Sequence, residues 1–119
     1  YGALRYFNVA GADPQGRSGQ VGKGATHLLK VACEAATGKR PHVDVFGTDY
    51  PTPDGTCIRD YIHVSDLADA HVLALEALIA SPQESFTFNC GYGRGTSVLE
   101  MLDVLDKVNG KPVPRVLGP

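Results

Sequence analysis

Phe46-Gly47-Thr48-Asp49-Tyr50-Pro51-Thr52-Pro53-Asp54-Gly55-Thr56-Cys57-Ile58-Arg59-Asp60-Tyr61-Ile62-His63-Val64-Ser65-Asp66 reads as a turn feeding a strand. Pro53 presets φ, Asp54 can hydrogen-bond its own backbone and Gly55 accepts φ > 0, the chemistry of a tight turn. Beyond it the chain alternates. Cys57, Arg59, Tyr61 and His63 share one face of an extended segment, and Ile58, Asp60, Ile62 and Val64 share the other. Arg59 thus stands among aromatic and thiol neighbours, where its planar fork could hold a carboxylate or phosphate bidentately. The plainer alternative is a local ion pair with Asp60 or Asp54.

Downstream, Ser65-Asp66 opens a helix with either residue as N-cap, and Leu67, His71, Ala74, Leu75 and Leu78 fall on one stripe until Ser81-Pro82 ends it. His63 and His71 lack metal-ligand spacing and read as structural, with Asp60 and Asp66 as hydrogen-bond partners. Phe86, Phe88 and Cys90 alternate, as in a half-buried strand. Gly91-Tyr92-Gly93-Arg94-Gly95-Thr96 has the outline of a dinucleotide fingerprint, but Thr96 stands where a third Gly or Ala is needed. It is better read as a turn into a helix that Ser97 and Glu100 open as a capping box. Val98, Met101, Leu102, Leu105 and Val108 give that helix its apolar face, and Asn109-Gly110 its stop. Pro112 to Pro119 can begin a further edge strand.

Upstream, Ala3 to Val9 has the apolar and aromatic content of a buried strand ending at Asn8. In doubly wound α/β folds ligands collect beyond the carboxyl ends of strands, although Asn8 could equally be a turn-former. The glycines between Ala10 and Gly24 suit a loop, either simply mobile or ordering on a ligand. Thr26 to Thr37 reads as a helix faced by Leu28, Leu29, Val31, Ala32, Ala35 and Ala36, with Gly38 as its stop. Lys39-Arg40-Pro41 breaks it, and Val43 to Phe46 is a short strand in which Phe46 could be core. Helices and strands alternating in this way predict an α/β fold of short strands with about three main helices.

The run from Phe46 to His71, Leu4-Arg5-Tyr6-Phe7-Asn8 followed by Gly11-Ala12, and the late Asn89-x-Gly91-x-Gly93 segment together carry a resemblance over nearly the whole chain. They resemble the carboxyl-terminal half of the UDP-glucose 4-epimerases, NAD-dependent members of the extended short-chain dehydrogenase/reductase superfamily. The resemblance implies that residues 1–119 are the substrate-binding portion of a fold whose Rossmann NAD-binding half is absent. It implies a parent that interconverts UDP-galactose and UDP-glucose in galactose metabolism, as a cytoplasmic homodimer holding NAD. It assigns Asn8 to the UDP-sugar, Tyr6 and Phe7 to the border of sugar and nicotinamide, and the backbone around Asp44 and Val45 with the Phe46 ring to uracil. Arg59 is assigned to the diphosphate. By the same resemblance the helix opening at Thr26-His27-Leu28 is expected to face the nucleotide-sugar; many members of the family carry Asn-Asn-Leu there, so His27 is a departure.

The family's base is a Tyr-x-x-x-Lys pair, in which the cation lowers the phenol's pKa. Four residues after Tyr1, Tyr6, Tyr50, Tyr61 and Tyr92 stand Arg5, Ala10, Asp54, Ser65 and Thr96, so the pair is missing, as is an early glycine-rich βα turn. The expectation is a chain without catalytic residues of its own. The alternatives are a portion of another nucleotide-sugar epimerase, such as a UDP-pentose 4-epimerase, or a non-catalytic UDP-binding module.

Composition agrees with a globular fragment. The 119 residues are one domain's worth, and 43% hydrophobic with 20% charged content is ordinary. A net charge of −2 without a basic run leaves nucleic acid an unexpected partner. No apolar stretch nears the roughly 20 residues of a spanning helix. Cys33, Cys57 and Cys90 have neither disulfide-framework nor zinc spacing and are expected as reduced, packed thiols. The chain opens at Tyr1 directly into a strand, so a preceding segment is expected in the parent. A cut sheet exposes an edge, which predicts self-association.

Overall fold

The computed structural model describes residues 1–22 and 24–118. Their elements run β1 (Gly2–Arg5), β2 (Asn8–Ala10), α1 (Leu28–Ala36), β3 (Val43–Val45), β4 (Ile58–His63), α2 (Val64–Ala80), β5 (Phe86–Asn89), β6 (Gly95–Ser97), α3 (Val98–Asn109) and β7 (Arg115–Leu117). β1 pairs with β5, β2 with β4 and β3 with β7, each in parallel. Parallel neighbours need crossover connections, which the helices supply, so the fold is α/β as predicted. The residues form two compact units, one of Tyr1–Gly19 and Asp60–Arg94, the other of Gln20–Arg59 and the segment from Gly95 on.

In the first unit, the single strand expected from Ala3 to Val9 is two strands. β1 runs beside β5 from Gly2 opposite Phe86 to Arg5 opposite Asn89. The chain then leaves that ladder through Tyr6-Phe7, and β2 starts at Asn8 opposite Tyr61. Changing neighbours breaks the strand, so Asn8 begins an element instead of closing one. The Phe86 and Phe88 rings stack on one face of β5 at 5.0 Å between centroids, but Phe88 is 57% exposed, so the half-buried face expected there is not formed.

α2 packs against β1 and β2. It begins one residue after β4, at Val64, which therefore is not the strand residue its alternation suggested. The cap is neither Ser65 nor Asp66 but His63, whose Nδ1 accepts from the Ser65 amide at 3.2 Å. Asp66 falls instead in the first turn, where a carboxylate complements the helix dipole. Leu67 is buried, whereas His71 and Leu75 of the expected stripe are exposed, together with Val72 and Ile79. Strands of four and three residues are too short to cover a helix of seventeen.

The second unit holds the larger core. Ala32 and Leu102 are fully buried, Val43, Val45 and Val113 are 1% exposed and Ala35 is 5% exposed. α1 packs on α3 and on β3, and β7 continues the sheet beside β3, which realises the strand expected after Pro112. α1 begins at Leu28 with His27 as its cap and closes through Gly38 at φ +75. α3 starts at Ser97, whose Oγ accepts from the Glu100 amide at 3.0 Å, and stops at left-handed Gly110. Val98, Leu99 and Leu105 pack on the core; Val108, in the last turn, is 81% exposed and does not belong to that face. The three thiols are free, and Cys33 is exposed on α1 instead of packed.

Leu102 is the fully buried residue that α3 contributes to the core. Leu102→Ala is expected to cost about 2–5 kcal/mol in urea unfolding, with an unchanged m value.

Candidate functional site

The turn from Tyr50 to Gly55 closes with the Tyr50 amide on the Gly55 carbonyl at 2.9 Å, and Gly55 sits at φ +79. A Cβ on Gly55 would strike the Thr48 carbonyl, so only glycine fits. The Asp54 carboxylate then gathers what lies on either side. One oxygen accepts from the Thr56 amide at 2.8 Å and the Thr56 hydroxyl at 2.7 Å; the other accepts from the Ser97 hydroxyl. Ser97 caps α3, and the Thr56 hydroxyl accepts from the Leu99 amide at 3.3 Å. The hydrogen bond from Ser97, then those from Thr56, hold the Asp54 carboxyl below its ordinary pKa. The start of β4, with Arg59, is thereby fastened to the start of α3, with Val98.

Val98 lines a pocket of ≈ 330 Å³ with Leu28, Val31, Phe46, Asp44 and Arg40. β3 aims Val43 and Val45 at the core, and its alternation turns Asp44 to the other side. Phe46, just past the strand's carboxyl end, is 73% exposed, so the core reading does not hold. An exposed ring at the rim of an apolar slot is a stacking surface. Asp44 accepts from His42 Nε2 at 3.1 Å. Arg40 donates through Nε to Glu34 at 3.4 Å, and Lys30 stands 3.3 Å from the same carboxylate.

In the same unit Arg59 is exposed, and its Nη1 donates to the Ile58 carbonyl at 3.1 Å. Among the described residues it has no carboxylate partner. The local ion pair is excluded because both candidates are occupied: Asp54 as above, and Asp60 by the amides of Tyr92 and Gly93 at 3.1 and 3.0 Å. Of the helix opening, Thr26 and Leu28 line the pocket, whereas His27 turns to Gln20, Nδ1 to Nε2 at 3.0 Å.

The other sequence-predicted residues belong to the first unit. Tyr6 meets the His71 ring edge-on at 5.9 Å, Phe7 is 77% exposed, and Asn8 is half-buried. His71 Nδ1 lies 2.8 Å from the Leu67 carbonyl, so both histidines use backbone partners and Asp60 and Asp66 serve neither. Asp66 instead accepts from the Tyr92 hydroxyl, which itself accepts from the His63 amide at 3.1 Å. That bond to Asp66 pushes the Tyr92 phenol's pKa up, the opposite of what a tyrosine base requires. The grip of Asp60 on Tyr92 and Gly93 was not read from the sequence. Its one signal is a carboxylate on the face of Ile58 and Ile62, which must find donors.

Residues 1–91 match the NAD dependent epimerase/dehydratase family. A UDP-glucose 4-epimerase of Azospirillum brasilense is 66% identical over 115 residues, 97% of this chain and 33% of that protein. A UDP-glucose 4-epimerase structure from Stenotrophomonas maltophila, with bound NAD and formylated UDP-arabinopyranose, superposes with a TM-score of 0.93 at 44% identity, covering 99% of this chain and 35% of that one. One from Brucella ovis in complex with NAD gives 0.91 at 48%, covering 98% and 36%. The chain thus spans about a third of the length of the relatives it matches.

A carboxyl whose pKa is lowered on folding contributes stability that is present above the unfolded value of about 3.9 and lost as pH falls through the folded value. At pH 6, Asp54→Asn is expected to unfold at lower urea than the wild type. At pH 3 the two midpoints are expected to draw together, because below the ordinary carboxylate pKa the unfolded wild-type chain takes up a proton and the advantage of the ionised folded carboxyl declines.

Proposed function

This chain belongs to the NAD dependent epimerase/dehydratase family, and on that premise we propose that it is the carboxyl-terminal, UDP-sugar-recognising portion of a UDP-glucose 4-epimerase. The parent would be an isomerase that interconverts UDP-galactose and UDP-glucose by transient oxidation at C4. The observation that carries the reading is a pocket rimmed by the exposed Phe46 ring in the same unit as Arg59, a guanidinium without a carboxylate partner among the described residues. In this reading Phe46 and the Asp44–Val45 backbone hold the uracil and Arg59 neutralises the diphosphate. Leu28 walls the pocket, His27 stands at the helix opening beside it, and Tyr6, Phe7 and Asn8 serve the sugar and nicotinamide border.

NAD, when bound, would accept the C4 hydride and return it. The glycine-rich segment from Gly91 to Gly95 does not fit a pyrophosphate cradle. The amides of Tyr92 and Gly93, in the one glycine-rich segment of that outline, are already taken by Asp60. The dinucleotide is therefore assigned to the remainder of the parent, as is the base. What this portion supplies is orientation: a seated uracil and a neutralised diphosphate leave the sugar as the end presented for reaction.

The homodimer, the cytoplasm and galactose metabolism belong to the same proposal. Among the described residues no helix is long and apolar enough to cross a membrane. A UDP-pentose 4-epimerase is the second reading, favoured by the arabinopyranose nucleotide in the Stenotrophomonas maltophila structure.

Calorimetric titration of the chain with UDP-glucose is expected to show binding that Arg59→Ala weakens by about ten-fold or more, the loss of a charge-assisted contact of about 1.5–3 kcal/mol. Absence of binding by the wild type would overturn the half-site. The chain alone is expected to give no epimerisation, and turnover above background would refute its assignment as a recognition portion. Light scattering is expected to show mass rising with concentration, as the exposed apolar side chains of α2 associate.

A further inference from the structure

Two histidines of α2 and its cap use the same ring atom in opposite ways. His63 Nδ1 accepts from the Ser65 amide at 3.2 Å, so it carries no proton and the ring hydrogen is on Nε2. His71 Nδ1 lies 2.8 Å from the Leu67 carbonyl, which can only accept, so there the proton is on Nδ1. A second ring proton therefore leaves the His71 bond intact. It abolishes that of His63, whose Nδ1 becomes a donor facing a donor.

The His63 ring also touches the loop that follows β2. His63 stands opposite Ala10 in the β2 register, and its ring fills the place where a side chain on Gly11 would be, since a Cβ there would collide with Cδ2 and Nε2. The His63 amide donates to the Tyr92 hydroxyl at 3.1 Å, and that hydroxyl donates to Asp66 in the first turn of α2. The ionisable groups on the surrounding elements are Asp60 and Tyr61 of β4, Asp66, Tyr92 and, beyond Gly11, Asp13 with Arg17; β2 brings none. Asp60 is taken by the Tyr92 and Gly93 amides, Asp66 by the Tyr92 hydroxyl, and Asp13 by Arg17 at 2.6 Å. Attraction to Asp66 offsets the repulsion between an imidazolium and the positive end of α2, but it returns no acceptor to the Ser65 amide.

We propose that His63 is a pH-sensitive cap of α2, fastened to Ser65 while the ring is neutral and released when a second proton arrives. Histidine is the side chain that ordinarily changes charge between about pH 5 and 8, so the release falls in weak acid. The first turn of α2 and the loop starting at Gly11 loosen together, because one ring packs on both. The segments so loosened lie at the carboxyl ends of β2 and β4, the side of an α/β sheet on which ligands collect.

Nitrogen NMR of the chain at about pH 8 is expected to show His63 as the Nε2–H tautomer and His71 as the Nδ1–H tautomer; a proton on His63 Nδ1 would overturn the cap. Amide hydrogen exchange, expressed as protection factors to remove the intrinsic effect of pH, then reads the release. Protection of the Ser65 amide is expected to fall about five-fold from about pH 8 to about pH 5.5, the loss of one cap, with the Gly11 amide resonance moving over the same interval. His63→Asn, which caps without titrating, is expected to abolish the fall, and His71→Gln to keep it. No nucleotide enters these measurements, so their outcome is separate from that of the proposed function. Equal protection of Ser65 at both pH values in the wild type, which needs no variant to fold, or a fall that survives in His63→Asn, would overturn the switch.

Discussion

The Asp54 carboxylate is the constraint on which the second unit depends. It sits in a turn that Gly55 alone can close, and it takes hydrogen bonds from Thr56 beside it and from Ser97 far along the chain. Ser97 and Thr56 pass the constraint on, since each accepts from an amide in the first turn of α3. Thr56 is fully buried and Ser97 nearly so. Buried hydroxyls must be paired on both their donor and acceptor sides, and here each is. The consequence is positional: Val98 enters the pocket wall and Arg59 leaves the turn on a strand whose start is fastened.

Arg59 gains its character from what its neighbours do elsewhere. Two aspartates close in sequence would ordinarily neutralise it. Both are engaged by donors distant in sequence, Asp54 by Ser97 and Asp60 by the Tyr92–Gly93 backbone. An exposed cation then remains for an anionic ligand. The same occupation of Asp60 removes the glycine-rich segment as a phosphate cradle. One carboxylate is thus withheld from Arg59 and occupies the amides of the segment that has the outline of an anion site.

Phe46 and Arg40 show how the pocket differs from the core beneath it. β3 sends its valines inward, so the residues between and beyond them, Asp44 and Phe46, face the other way. The pocket takes its apolar lining from β3, α1 and α3, and its charged lining residues are Arg40 and Asp44. Rigid support beneath and few polar groups above are the features of a site that orients a flat ligand.

Local chemistry by itself determined the turn at Asp54-Gly55, the capping box at Ser97, the three helices to within a residue or two, and the candidates Phe46 and Arg59, because turns, caps and periodicity depend on residues within a few positions of one another. It could not show that Ala3 to Val9 is two strands, since the break comes from a change of strand partner and not from any residue in the run. Nor could it show His63 capping α2, where Ser65 and Asp66 were better caps by type, or the exposed apolar residues of α2. Those outcomes follow from which strands stand beside the chain. The engagement of Asp60 by Tyr92 and of Asp54 by Ser97 likewise joins residues that only folding brings together. The sequence supplied Arg59 and Phe46 as candidates, and the tertiary structure decided that, among the described residues, Arg59 has no carboxylate partner and the Phe46 ring is exposed, because pairing and burial are settled by neighbours distant along the chain.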